Sequence, residues 1–92
     1  MTPLDGTDPS FIPGLVKLGD ALIKTERPAA AVSHLLRARE IRPDKPVIYF
    51  NLTRAYLALH QYEPARHAYE TLRKLDDTLA REIKMSALHA GL

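Results

Sequence analysis

The side chains best equipped for chemistry are four histidines, His34, His60, His67 and His89, in a chain without cysteine. A metal-binding helix sets its ligands one turn apart, as in H-E-x-x-H, and no pair of these histidines has that spacing. They read as surface or turn residues. Ser33 and His34 are neighbours in a helical pattern, so they point away from each other and make no nucleophile–base couple. Gly14-x4-Gly19 has the spacing that opens a phosphate-binding loop, but Asp20-Ala21 stands where Lys-Ser/Thr should follow and no strand precedes it. Asp5-Gly-Thr-Asp8 lacks the bidentate glutamate of a calcium loop and reads as a turn. Asp76-Asp77 is better explained as a helix cap than as an acid–base pair. No catalytic constellation emerges, and neither an enzyme, a cofactor nor a bound metal is expected.

The sole basic cluster is Arg37, Arg39, Arg42 and Lys45, which falls where a helix ends and where cations complement the helix dipole. Thirteen basic against eleven acidic side chains give a net charge of +2, too small an imbalance to predict a nucleic-acid surface. Helical repeats that read RNA use paired polar residues in every copy, and two copies would read about two bases. The 92 residues make one small domain with a modest core. No apolar run approaches the ~20 residues of a membrane span. Met1 to Gly14 has neither the basic start nor the apolar centre of a signal peptide. A soluble, cytoplasmic protein with no membrane partner is expected.

What must position any site is a helical repeat. Tyr49-Phe-Asn-Leu-Thr-Arg-Ala-Tyr56 and Ala65-Arg-His-Ala-Tyr69 have a fainter copy 34 residues upstream. The register pairs Leu15 with Tyr49, Leu18 with Leu52, Gly19 with Thr53, Leu22 with Tyr56, Ala31 with Ala65, Leu35 with Tyr69 and Ala38 with Leu72. Each copy carries two apolar stripes at helical spacing, broken by a short turn. The first helix should run to about Lys24 with Ile12, Leu15, Leu18, Gly19 and Leu22 inward. Pro28 should open a second helix whose stripe is Ala31, Leu35, Ala38 and Ile41. After Pro43-Asp-Lys-Pro46 a third should bury Tyr49, Leu52, Tyr56 and Leu59. Pro64 should open a fourth with Ala65, Ala68, Tyr69, Leu72 and Leu75 inward, and with Glu63–Arg66 and Glu70–Lys74 paired outward.

Asp76 or Asp77 should cap a fifth helix that Gly91 ends. Leu79, Ile83, Ala87 and Ala90 share its inner face. The opposite face carries Arg81, Met85, Leu88 and Leu92, apolar where the end of a helical stack should be polar. Met85, Leu88 and Leu92 are therefore expected to mediate self-association, giving a homo-oligomer, or to meet the next unit of a longer array.

These residues resemble the tetratricopeptide repeat, whose pattern runs large-x2-L-G-x2-Y, then A-x3-F, then Pro. The upstream copy supplies Leu15-x2-Leu18-Gly19-x2-Leu22, Ala31-x3-Leu35, Ala38 and Pro43. The second supplies Tyr49-x2-Leu52-Thr53-x2-Tyr56, Ala65-x3-Tyr69 and Leu72. Departures are Leu15 for the aromatic, Thr53 for Gly, Leu72 for Ala, Asp77 for Pro, and Glu26 and His60 at turn positions where the family often has Gly. The resemblance covers about residues 12–90. It implies an all-α, right-handed superhelix of two helical hairpins plus a fifth helix. The expected divisions are a lead-in over 1–10, repeats over 11–45 and 46–77, and a capping or partial third-repeat helix over 78–92.

The third helix has a second stripe, Val47, Phe50, Arg54 and Leu57, matched by Pro13, Val16, Asp20 and Ile23 in the first and by Arg81, Lys84 and Leu88 in the fifth. The resemblance implies that these positions face a concave groove that binds a helix or an extended peptide. The expected site is Val16, Asp20, Phe50, Asn51, Arg54, Leu57 and Lys84, with Asp20, Arg54 and Lys84 as isolated charges in an apolar surface. Chaperone-binding members clamp a peptide carboxylate with an asparagine and lysines that Asn51 and Lys84 match. Val16 and Asp20 stand where that clamp wants a lysine and an asparagine, and Asp20 would repel a carboxylate. The implied function is protein–protein interaction as a scaffold or adaptor. The alternative is a self-assembling scaffold whose groove or fifth helix is covered by its own copies.

Overall fold

A computed structural model describes residues 12–83. Five helices follow one another: α1 (Ile12–Lys24), α2 (Pro28–Ile41), α3 (Pro46–Ala58), α4 (Tyr62–Leu75) and α5 (Asp77–Ala80), with no strand among the described residues. Pro28 and Pro46 each occupy an opening position, where no intrahelical N–H bond is lost. α4 departs from expectation. It opens at Tyr62 rather than at Pro64, which is allowed because none of the first-turn N–H groups has an intrahelical acceptor to lose. Asp76 caps α5, its Oδ1 accepting from the Leu79 N–H at 3.0 Å.

The two hairpin turns are built alike. In the first, Arg27 N–H reaches Leu22 O at 2.7 Å and Glu26 N–H reaches Ile23 O at 3.2 Å; in the second, Gln61 reaches Tyr56 at 2.9 Å and His60 reaches Leu57 at 3.0 Å. That nested pair of bonds is the Schellman motif, and it requires a left-handed residue just past the helix. Glu26 and His60 hold it, at φ 63° and 60°.

α1 packs on α2 and α3 on α4, with α2 against α3 joining the hairpins. α3 also touches α1 and α5, so it is the helix around which the others gather. Burial follows. α3 buries Ile48, Tyr49, Asn51, Leu52, Thr53 and Ala55, spread well around its circumference. Ala31, Leu35 and Ala38 of α2 and Ala65, Ala68, Tyr69 and Leu72 of α4 are buried as their spacing predicts. Ala80 and Ile83 extend the core at the start of the fifth segment, with Leu79 half-buried.

Of the residues expected inward, Leu18 and Leu75 are each 42% exposed, and Leu22, Ile41, Tyr56 and Leu59 are only half-buried. Leu18 faces away from α2 and α3 on a helix that no described helix precedes. Leu75 is the last residue of α4, beside only the single turn of α5. Outward, Glu63 and Arg66 approach to 3.6 Å, whereas Glu70 and Lys74 do not pair.

Gly19 answers to a close approach. A Cβ placed there would lie 2.8 Å from Cγ and Cδ2 of Leu35, whose side chain is fully buried. α1 and α2 meet at that point without room for a methyl group.

Candidate functional site

Where α1 meets α3, Asp20 reaches Arg54. Val16, Phe50 and Leu57 are half-buried, packed against the core on one side and open on the other. Lys84, Met85, Leu88 and Leu92 lie outside the described residues.

The two charges of this face are not isolated, contrary to the sequence-based expectation. Arg54 Nη1 donates to Asp20 Oδ1 at 2.8 Å, and the same nitrogen donates to Asn51 Oδ1 at 2.8 Å. The guanidinium carbon stands 5.7 Å from the centre of the Phe50 ring, within cation–π range. Lys24 Nζ reaches the other carboxylate oxygen of Asp20 at 3.1 Å. Asp20 and Arg54 are 34 residues apart, one repeat, the equivalence the sequence register already gave; the contact between α1 and α3 is what brings them together. The hydrogen bond from Arg54 and then that from Lys24 hold the Asp20 carboxyl below its ordinary pKa of 3.8. Because both partners are about one-third exposed, the pair adds under ~1 kcal/mol to stability. Its larger effect is geometric, since three partners fix one guanidinium.

Asn51 also differs from the clamp asparagine that resemblance suggested. It is 3% exposed and its oxygen is taken by Arg54, which can only donate. Arg54 is paired with Asp20, so the surplus positive charge of this cluster is that of the exposed Lys24 rather than of the guanidinium beside Asn51.

The N-terminal end of the face opens into a cleft of about 400 Å³ lined by Ile12, Pro13, Val16, Lys17, Arg42, Lys45 and Val47. Sequence reasoning assigned Arg42 and Lys45 to a solvated helix end and passed over Lys17. Nothing local in the sequence brings a first-helix lysine to the loop between hairpins. Arg42 donates through Nε and Nη2 to both oxygens of Asp44, each at 3.0 Å. That bond lowers the Asp44 pKa and raises that of Arg42. The described residues contain no group of three or more His, Asp or Glu side chains able to hold a metal ion. No described helix is long and apolar enough to cross a membrane.

Two stacked helical hairpins, α1–α2 and α3–α4, define a helical-repeat fold. A sequence model of the tetratricopeptide repeat family matches residues 8–90, and the chain belongs to that family. Members are generally protein–protein interaction modules and typically non-catalytic. No curated protein and no solved structure gives a significant match.

Proposed function

We propose that the chain is a docking module that captures a helix or an extended segment of another protein on the α1–α3 face. The observation that carries this reading is the Asp20–Arg54 bridge at 2.8 Å. It ties the equivalent positions of the two hairpins together, and the half-buried Val16, Phe50 and Leu57 of the same two helices would supply the apolar surface. Binding would come from burial around Phe50 and Leu57, with Arg54 fixing orientation and the buried Asn51 holding Arg54 in place. The neutral pair at the centre favours a partner that presents backbone amides or uncharged polar groups there rather than a free carboxylate. Lys84, by repeat register, is proposed to extend the same surface.

The test is selection of displayed random peptides on the intact chain, followed by affinity measurement on the winners. Phe50→Ala and Leu57→Ala should each weaken binding about tenfold or more, since truncating a central apolar contact costs at least ~1.4 kcal/mol. Glu70→Ala, on exposed α4, should change nothing. Binders indifferent to Phe50 and Leu57 would remove the site, and loss of helical circular dichroism in Phe50→Ala would assign that ring to the core. Light scattering on the same samples addresses self-assembly. A dimer that persists on hundredfold dilution, and that Leu88→Lys with Leu92→Lys dissociates, would make copies of the chain the occupant instead.

A further inference from the structure

We infer that the cleft at the N-terminal end of α1 is the seat of the chain's own residues 1–11, which dock there as an acidic, apolar segment. The inference goes beyond the docking reading and does not depend on it. Ile12 and Pro13 form one lip of the cleft, so the preceding chain leaves from its edge. Its wall is apolar at Val16 and Val47 and cationic at Lys17, Arg42 and Lys45, and no carboxylate of the described residues lines it. Val47 is one of the exposed large hydrophobic residues, at 39%. Asp44 already engages Arg42, whereas Lys17 and Lys45 form no ion pair with a described residue.

The segment Met-Thr-Pro-Leu-Asp-Gly-Thr-Asp-Pro-Ser-Phe complements this surface term by term. It has Asp5 and Asp8, no basic side chain, and apolar Leu4 and Phe11. Asp8 lies four residues before Ile12 and Leu4 eight, which extended chain spans at up to about 14 and 28 Å. Surface ion pairs are individually weak. A short tether, however, presents its ligand at about millimolar effective concentration, so contacts of millimolar strength suffice, and two weak pairs together with burial of Leu4 and Phe11 are of that order. Pro3 and Pro9 cut the entropy lost when the segment settles.

The experiment is a charge-swap cycle on the full chain, read at backbone amides by nuclear magnetic resonance. Asp5→Lys with Asp8→Lys, and separately Lys17→Glu with Lys45→Glu, should each move the Val16 and Val47 amides toward their positions in ~1 M salt, where screening shortens to about 3 Å. Combining all four substitutions should return those amides toward the native positions, and protein dilution should not alter the pattern. Simple addition of the two shifts would overturn the inference, and so would shifts that disappear on dilution, which place a second copy in the cleft.

A second reading covers the case of a variant that fails to fold. The chain has no cysteine, so a nitroxide on Thr7→Cys is unique. It should broaden the Lys45 and Val47 amides in the native background and lose that effect in Asp5→Lys with Asp8→Lys. Unaltered intensity at Lys45 and Val47 would overturn the docking. So would broadening of an isotope-labelled chain by a separate spin-labelled one.

Discussion

Leu18 and Leu52 stand at the same position of successive hairpins, yet Leu18 is 42% exposed and Leu52 is fully buried. The residue type and local helix are the same, so neighbours decide the difference. α3 has helices α1, α2, α4 and α5 around it, whereas α1 packs on α2 and α3. The next residues differ in another way. At Gly19 the first hairpin closes to a distance that excludes a side chain. At Thr53 the second admits a β-branched residue, fully buried, and bonds its hydroxyl to Tyr49 O at 2.8 Å. One motif thus yields a central hairpin held by surrounding contacts and an outer one held by close approach.

The comparison is tested most severely by truncating both leucines. Leu52→Ala should cost about 2–5 kcal/mol through lost burial and the cavity left behind. Leu18→Ala should cost under ~1 kcal/mol, because much of that side chain stays in water. Denaturant midpoints of the two variants measure the contrast. Equal losses would mean that Leu18 is covered in solution and that the two hairpins are not differently enclosed.

Next in size is a pair of identical substitutions with opposite expected signs. Gly14→Ala adds a methyl group to a helix where no atom of the described residues lies within 4 Å of it. It should stabilise by up to ~1 kcal/mol from helix propensity alone. Gly19→Ala gains the same propensity but forces Leu35 aside, an overpacking of about 1–3 kcal/mol, so the net result is a loss on the order of 1 kcal/mol. In thermal melts the first variant should rise and the second fall. A stabilised Gly19→Ala would show that the α1–α2 approach is looser than 2.8 Å implies.

The fold was legible because a period of 34 residues repeats the packing positions, and Ala31, Leu35, Ala65 and Leu72 fell where spacing put them. Leu18 and Leu75 were misplaced for one reason: periodicity says which face a residue is on, but not whether anything covers that face. Ile48 and Asn51 were missed as buried residues for the converse reason, since a helix with four neighbours buries more than one stripe. The candidate face was legible as a set of residues. Its electrostatics were not, because Asp20 and Arg54 neutralise each other only once α1 and α3 lie side by side. The repeat register sets Asp20 and Arg54 at equivalent positions, but register alone does not say that the two helices stand close enough for them to bond.

The bridge between hairpins supplies a smaller, pH-dependent prediction. Folding lowers the Asp20 pKa from 3.8, through Arg54 first and Lys24 second. A carboxyl whose folded pKa is depressed stabilises the fold above the unfolded pKa and loses that contribution as pH falls through the folded one. The difference between the intact chain and Asp20→Asn should therefore be constant above about pH 5 and shrink below 3.8. Its plateau should stay under ~1 kcal/mol and decrease with salt. A difference that grows as the solution is acidified would exclude the ionised bridge.

The smallest effect bears on what the hairpins share. Glu26 and His60 both occupy the left-handed position of a Schellman turn, at φ 63° and 60°. A side chain at such an angle is crowded by the following carbonyl, and glycine is not. Glycine also has more unfolded-state freedom to lose, which offsets part of the relief. The net gain for Glu26→Gly should be about 0.5 kcal/mol, seen as a melting rise of a few degrees. His60→Gly removes in addition an exposed contact of 2.9 Å between Nδ1 and the Tyr62 hydroxyl. Its gain should be slightly smaller but of the same sign. Opposite signs would show that the two turns, alike in backbone, are held by different side-chain surroundings, and would carry the contrast between the hairpins into the loops that close them.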